Sequence, residues 1–151
     1  MDKKVKAGFM ACMLAFAVML AAGCEKAPVD EDIEGFWRLE RFRTNADGKT
    51  HECDRLYYSI TRYVVEVSEK QGSGGYGTFI GRFEYVDGSR RVAMRDFRRR
   101  AATSDNGVRA TAEELRPFGL GDSDTVFDVV SAGGGRLVLK SDYAILELTE
   151  F

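Results

Sequence analysis

The single histidine of this 151-residue chain, His51, is separated from Cys53 by one residue. An imidazole beside a thiol is raw material for a metal site or an activated nucleophile. A stable metal site wants three or four ligands at recognisable spacing, and a catalytic pair wants a third group to orient the base. The spacing around His51 and Cys53 supplies neither, so we expect no catalytic residue, no metal ligand and no cofactor, and hence no enzyme. Gly72-Ser73-Gly74-Gly75-Tyr76-Gly77 matches Gly-x-Gly-x-x-Gly letter for letter. A phosphate-binding turn of that kind must be followed by a helix, whereas another strand-like run follows here, so the segment is expected to be a flexible hairpin loop. Arg98-Arg99-Arg100 could meet anionic headgroups or glycan acids. The default is a solvated strand end, partly balanced by Asp96 and Asp105. A formal charge of −2 argues against a nucleic-acid partner, which calls for a basic excess.

The first residues form an export signal: Lys3, Lys4 and Lys6, an apolar run from Ala7 to Ala22, then small residues. The run is shorter than the roughly 18 to 20 apolar residues of a membrane-spanning helix, and Glu25 and Lys26 follow it at once. Leu20-Ala21-Ala22-Gly23-Cys24 resembles the lipobox of bacterial lipoproteins. That resemblance implies removal of residues 1–23, acylation of Cys24, attachment to a membrane through the lipid, and a place in the cell envelope, at the outer membrane. An ordinary cleaved signal with an incidental cysteine is the alternative. Removing the segment takes Lys3, Lys4 and Lys6 against Asp2, a net +2, and leaves the mature chain at −4. It also takes Cys12, leaving Cys24 and Cys53 and no internal disulfide. Cys53 is expected to be a buried, inert thiol.

Residues 24–32 are polar and acidic, contain Pro28 and show no apolar periodicity, so they are expected to be a flexible tether. The rest, residues 33–151, fits a single domain. Eight runs rich in β-branched and aromatic residues alternate there with Gly, Asp and Ser clusters: Phe36–Phe42, Arg55–Ile60, Arg62–Ser68, Tyr76–Val86, Ser89–Arg98, Thr125–Val130, Arg136–Lys140 and Tyr143–Phe151. Regular short strands of this kind predict an all-β sandwich or barrel.

Asp87-Gly88 is the clearest turn, able to place two positive-φ residues between alternating strands. With these two as the loop, Phe83 faces Val92 and Glu84 faces Arg91. Phe79, Gly81, Phe83 and Tyr85 then share an apolar face with Val92 and Met94, and Arg82, Glu84, Arg91 and Arg95 lie opposite. The same alternation puts Tyr63, Val65 and Val67 on one face, and Ala144, Leu146 and Leu148 on another. It also turns Asp96 inward, a costly placement unless the carboxylate pairs or sits at a barrel mouth. One apolar face per strand suits a closed antiparallel barrel. Thr111-Ala112-Glu113-Glu114 has capping-box spacing and predicts a helix of a turn or two, limited by Pro117 and Gly119. With Phe118 and Leu120 behind it, this helix either folds over a barrel end as a plug or simply covers core; the second is the default.

Gly35-Phe36-Trp37 opens the first strand, and a Gly-x-Trp there followed by seven further strands resembles the lipocalin superfamily, closest to the lipocalin-like lipoproteins of gut Bacteroidetes-type bacteria. The resemblance implies an eight-stranded antiparallel barrel in which Gly35 lets the chain enter tightly and Trp37 closes the narrow end. It further implies binding of a small apolar or amphipathic ligand. Eight strands enclose an interior just wide enough to be filled by side chains or to hold one small ligand. The residues expected to line such a cavity are Trp37, Tyr63, Phe79, Phe83, Tyr85 and Met94, all equally suited to filling it. Arg41 shares the parity of Trp37 and is the candidate inward cation for a ligand carboxylate. The other function class is a protein-interaction or protease-inhibitor module built on a side-chain-filled barrel, with exposed apolar loops at Gly72 to Tyr76 or Phe118 to Leu120. The oligomeric state is not legible from these residues.

Overall fold

The computed structural model describes residues 30–151. The expected export signal, the expected lipid-attachment residue Cys24 and the expected tether up to residue 29 lie outside the described residues. Ten strands and one short helix follow in order: β1 (Gly35–Thr44), β2 (Thr50–Glu52), β3 (Leu56–Ile60), β4 (Val64–Glu69), β5 (Thr78–Val86), β6 (Arg91–Arg100), β7 (Asp105–Arg109), α1 (Ala112–Leu115), β8 (Thr125–Gly133), β9 (Arg136–Lys140) and β10 (Ala144–Glu150). Eight of them, β1, β3, β4, β5, β6, β8, β9 and β10, pair antiparallel in that order, and β10 returns to β1 to close a barrel. All eight expected runs are present. The additions are short: β2 continues along β1 above β3, and β7 runs along the far end of β6 beyond β8.

Alternation puts one face of each strand into a single continuous core. Trp37, Leu39, Tyr58, Val65, Val67, Phe83, Met94, Phe127, Leu137, Leu139, Leu146 and Leu148 are all 3% exposed or less. Burying each of the larger side chains stabilises the fold by about 1.5 to 3 kcal/mol. The bottom is closed where the chain enters. Ile33 is fully buried, its carbonyl accepts a 2.9 Å bond from Trp37 Nε1, and Tyr85 Oη donates to Glu34 (2.8 Å) while accepting from the Asp30 N–H (3.1 Å). Asp30 to Asp32, expected in the tether, thus belong to a turn fastened to the barrel.

Two β-bulges decide which residues face inward. In β1 the pairing with β10 slips between Leu39 and Arg41. An extra residue reverses the alternation beyond it, so Phe42 turns inward and Arg41 turns out. In β6 the slip lies opposite Gly81, between the pairs Ile80–Arg98 and Arg82–Arg95. Asp96 takes φ 54° there, and Phe97, not Asp96, enters the core at 0% exposure. Gly81 makes room for it: a Cβ at that position would lie 2.9 Å from both the Phe97 ring and the Arg95 carbonyl. The 86–91 hairpin keeps its positive-φ pair, Asp87 and Gly88, but its loop is four residues long. Phe83 therefore faces Met94 and Tyr85 faces Val92. A slide of two residues preserves the apolar face while changing every partner.

At the top, Thr111 caps α1 with both halves of the capping box in place. Arg99 Nε donates to Glu114 at 2.7 Å and ties α1 to β6. A 3-10 turn over Arg116–Phe118 follows and ends on Gly119. Leu115, Phe118 and Leu120 are fully buried and join the barrel core. The segment is a plug whose side chains complete the interior from above.

Candidate functional site

The interior offers a ligand little that its own side chains do not already occupy. Phe83 and Met94 are buried within it, Trp37 seals the bottom, and Phe79 lies under the plug with its ring edge-on to Phe118 (6.0 Å, 75°). Tyr58 Oη donates a 2.6 Å bond to the Phe118 carbonyl, joining β3 to the plug from inside. Complete burial pushes the ionisation of that phenol well up, so it stays a donor. Tyr85 is half-buried and serves the bottom turn; burial, then the Glu34 bond, raises its pKa.

Two residues expected to face inward do not. Arg41 lies outside because of the β1 bulge, with its guanidinium on Glu147 (3.1 Å) and Glu52 (3.5 Å). Tyr63 sits in the turn between β3 and β4, 61% exposed, and only Val65 and Val67 beyond it are buried. The arginine cluster is ion-paired: Arg98 with Asp96 (3.3 Å), Arg99 with Glu114 (2.7 Å), and Arg100 with Glu66.

Concavity appears at the mouth. Beside the plug, a recess of 300 Å3 is bounded by β2, the β2–β3 link, the β4–β5 loop and Pro117. Its floor is the top of the core, Phe42 and Leu56, 4% and 3% exposed. The His51 ring stacks on Phe42 (4.7 Å, 14°). The glycine-rich loop is shaped by Glu69, whose carboxylate accepts from Gly74 N–H (2.6 Å) and Tyr76 N–H (2.7 Å). Gly72 leaves room for that carboxylate, since a Cβ there would overlap the Glu69 side chain as it stands. So held, Tyr76 comes edge-on to Phe118 (6.4 Å, 73°) and remains 44% exposed as one wall of the recess. Glu52 and Asp54 stand at the rim, their side chains 72% and 94% exposed.

Cys53, between them, is half-buried. Burial first, then Glu52 and Glu40, pushes its thiol up to about 12, which leaves it protonated and a poor nucleophile. Among the described residues, no group of three or more His, Cys, Asp or Glu could hold a metal ion. A larger groove of 600 Å3 lies on the outer wall where β8 and β9 part. Its carboxylates are largely engaged, Asp128 by Arg91 (3.3 Å) and Asp124 by the Asp96 N–H (2.7 Å) and Arg109 (2.9 Å).

A closed eight-stranded antiparallel barrel that starts on Gly-x-Trp and is plugged at the opposite end matches one family model, that of the lipocalin-like domain, over residues 18–151. The chain belongs to the lipocalin-like family. Two solved structures share the fold. A lipocalin-like protein from Bacteroides uniformis superposes with a TM-score of 0.57 at 20% identity, over 80% of this chain and 99% of that one. An uncharacterised protein from Bacteroides eggerthii gives 0.58 at 15% identity, over 78% and 98%. No curated protein matches. Lipocalin-like proteins are typically binding proteins and not enzymes, and the barrel is compatible with binding a small ligand.

None of the expected cavity residues lines the recess. His51 and the glycine loop, whose residue types suggest other chemistry in the sequence, are walls of the recess. Phe42 and Leu56 belong to strands that were legible, but the β1 bulge that turns Phe42 inward has no local sequence mark.

Proposed function

We propose that this lipocalin-like protein is a lipid-anchored, non-enzymatic binding protein of the cell envelope, attached at the outer membrane through Cys24, which holds a small amphipathic ligand at the barrel mouth and not in its interior. The observation that carries the proposal is the recess itself. At 300 Å3 it lies at the lower end of the usual range for ligand pockets, about 300 to 1,000 Å3. An apolar floor and a polar rim at one place are what an amphipathic molecule needs. The interior, by contrast, would have to expel Leu115, Phe118 and Leu120 before admitting anything, at a cost of several buried side chains.

The test is native mass spectrometry of the protein purified from its own host, followed by extraction and identification of whatever co-purifies. A stoichiometric small molecule supports the proposal and names the ligand. The lipid at Cys24 is tested separately, by the mass of the N-terminal peptide. A second reading, a protein-interaction or protease-inhibitor module, is favoured by the filled interior. A clean apo mass together with a protein partner bound through the mouth loops would establish it instead.

A further inference from the structure

The mouth recess has a chemical bias beyond its shape. Three carboxylates line it, Glu52, Asp54 and Glu69, and no Lys or Arg does, in a chain holding 22 Lys and Arg in all. Glu69 is spent on the loop N–H groups. Glu52 and Asp54 remain at the rim. The nearest cations neutralise them incompletely. Arg41 lies closer to Glu147 (3.1 Å) than to Glu52 (3.5 Å). Arg55 Nε is 3.9 Å from Asp54 while its Nη1 donates to Gln71 at 3.3 Å. Below the carboxylates lie the aromatic groups, Tyr76 half-exposed and His51 stacked on Phe42. An aromatic wall under an acidic rim favours a positive charge carried on an apolar body.

Resting on the proposed mouth site, we infer that the ligand is an organic cation, an amine or quaternary ammonium with an apolar or aromatic body, and that anionic amphiphiles such as carboxylates are disfavoured. The one residue whose sequence position suggested a carboxylate clamp, Arg41, is turned outward and ion-paired. An incoming carboxylate would meet two like charges, paired only from outside the recess by Arg41 and Arg55, with no Lys or Arg among the lining residues to receive it. At contact distance in a water-like medium each carboxylate changes affinity by about fivefold, in favour of a cation and against an anion.

The probes are 2-phenylethylammonium and 3-phenylpropanoate, matched in apolar body and opposite in charge, titrated into the 15N-labelled full chain at low salt. Amide shifts report the site, and Kd is fitted for each probe. We expect the ammonium to move the amides of His51, Cys53, Gly74 and Tyr76 and to bind at least about tenfold tighter than the carboxylate. The double variant Glu52→Gln, Asp54→Asn alters only exposed side chains and should bring the two affinities within about twofold. Equal or tighter binding of the carboxylate overturns the inference and leaves the mouth site standing, and so does a cation preference that survives the double variant. If neither probe moves recess amides, the mouth site fails and the inference fails with it.

Discussion

Replacing Phe118 with Ala should destabilise the protein almost as much as a substitution in the centre of the barrel, although Phe118 lies in a loop between strands. Its ring is fully buried and meets Phe79 and Tyr76 edge-on at 6.0 and 6.4 Å. Removing a buried phenyl group costs about 3 to 5 kcal/mol once the cavity left behind is included. The aromatic contacts fall within that figure at about 0.5 to 1.5 kcal/mol each. The backbone bond from Tyr58 to the Phe118 carbonyl survives the change, which argues for the lower half of the range. The assay is urea unfolding followed by fluorescence of the single tryptophan, Trp37, which lies at the opposite end and so reports global unfolding. We expect an unchanged m-value and a lower midpoint, equivalent to about 3 to 4 kcal/mol. A loss below about 1 kcal/mol would mean that Phe118 is not part of the core, because only such a side chain can be removed so cheaply.

Tyr58→Phe leaves the Phe118 carbonyl buried without its donor and should cost about 1 to 3 kcal/mol in the same assay; no loss would mean water or another group satisfies the carbonyl. The Cys53 thiol, pushed up to about 12 by burial, should resist a thiol reagent at pH 8 in the folded protein and react on unfolding, as peptide mapping would show; modification of the native protein at the free-thiol rate would contradict that burial. Glu114 is held below its ordinary 4.5 chiefly by the Arg99 hydrogen bond, and Asp124 below 3.8 chiefly by the Asp96 N–H. Both carboxylates are therefore easier to ionise folded than unfolded. Their stabilisation is complete above those ordinary values and is lost as the pH falls through them toward the depressed ones. The urea midpoint should decline below about pH 5, less steeply in Asp124→Asn, and an identical slope in that variant would show that Asp124 is not one of the coupled groups.

The barrel was largely legible in the sequence because its signals are local. Alternation in runs such as Ala144 to Leu148 marks a strand with one buried face whatever its partner is, and Thr111 with Glu114 caps α1 using only its own residues. The shared apolar face of β5 and β6 is as expected, but register and orientation differ where a loop length or a bulge is settled between two strands. A two-residue loop puts Glu84 opposite Arg91, whereas it faces Ala93, because loop length is settled by the meeting of β5 and β6 and not by Asp87-Gly88 alone. Simple parity turns Arg41 and Asp96 inward, and in each case a bulge between paired strands reverses it. Tyr63 continued the pattern of Val65 and Val67 but lies in the turn before β4 begins. The recess has no signature in the sequence for a related reason. It is assembled from β2, the β4–β5 loop and the plug, which are distant in the chain and have no shared pattern to link them.

A ligand held at the mouth, above a filled barrel, should be visible in an amide-shift map of the 15N-labelled protein titrated with its own co-purified ligand. Shifts should be confined to the β2–β3 link, the glycine loop and Pro117's neighbours, with the amides of Phe83, Met94 and Leu148 unmoved. Shifts running down the interior strands, with the plug amides lost or broadened, would show that the ligand displaces Leu115 and Phe118 and occupies the barrel itself.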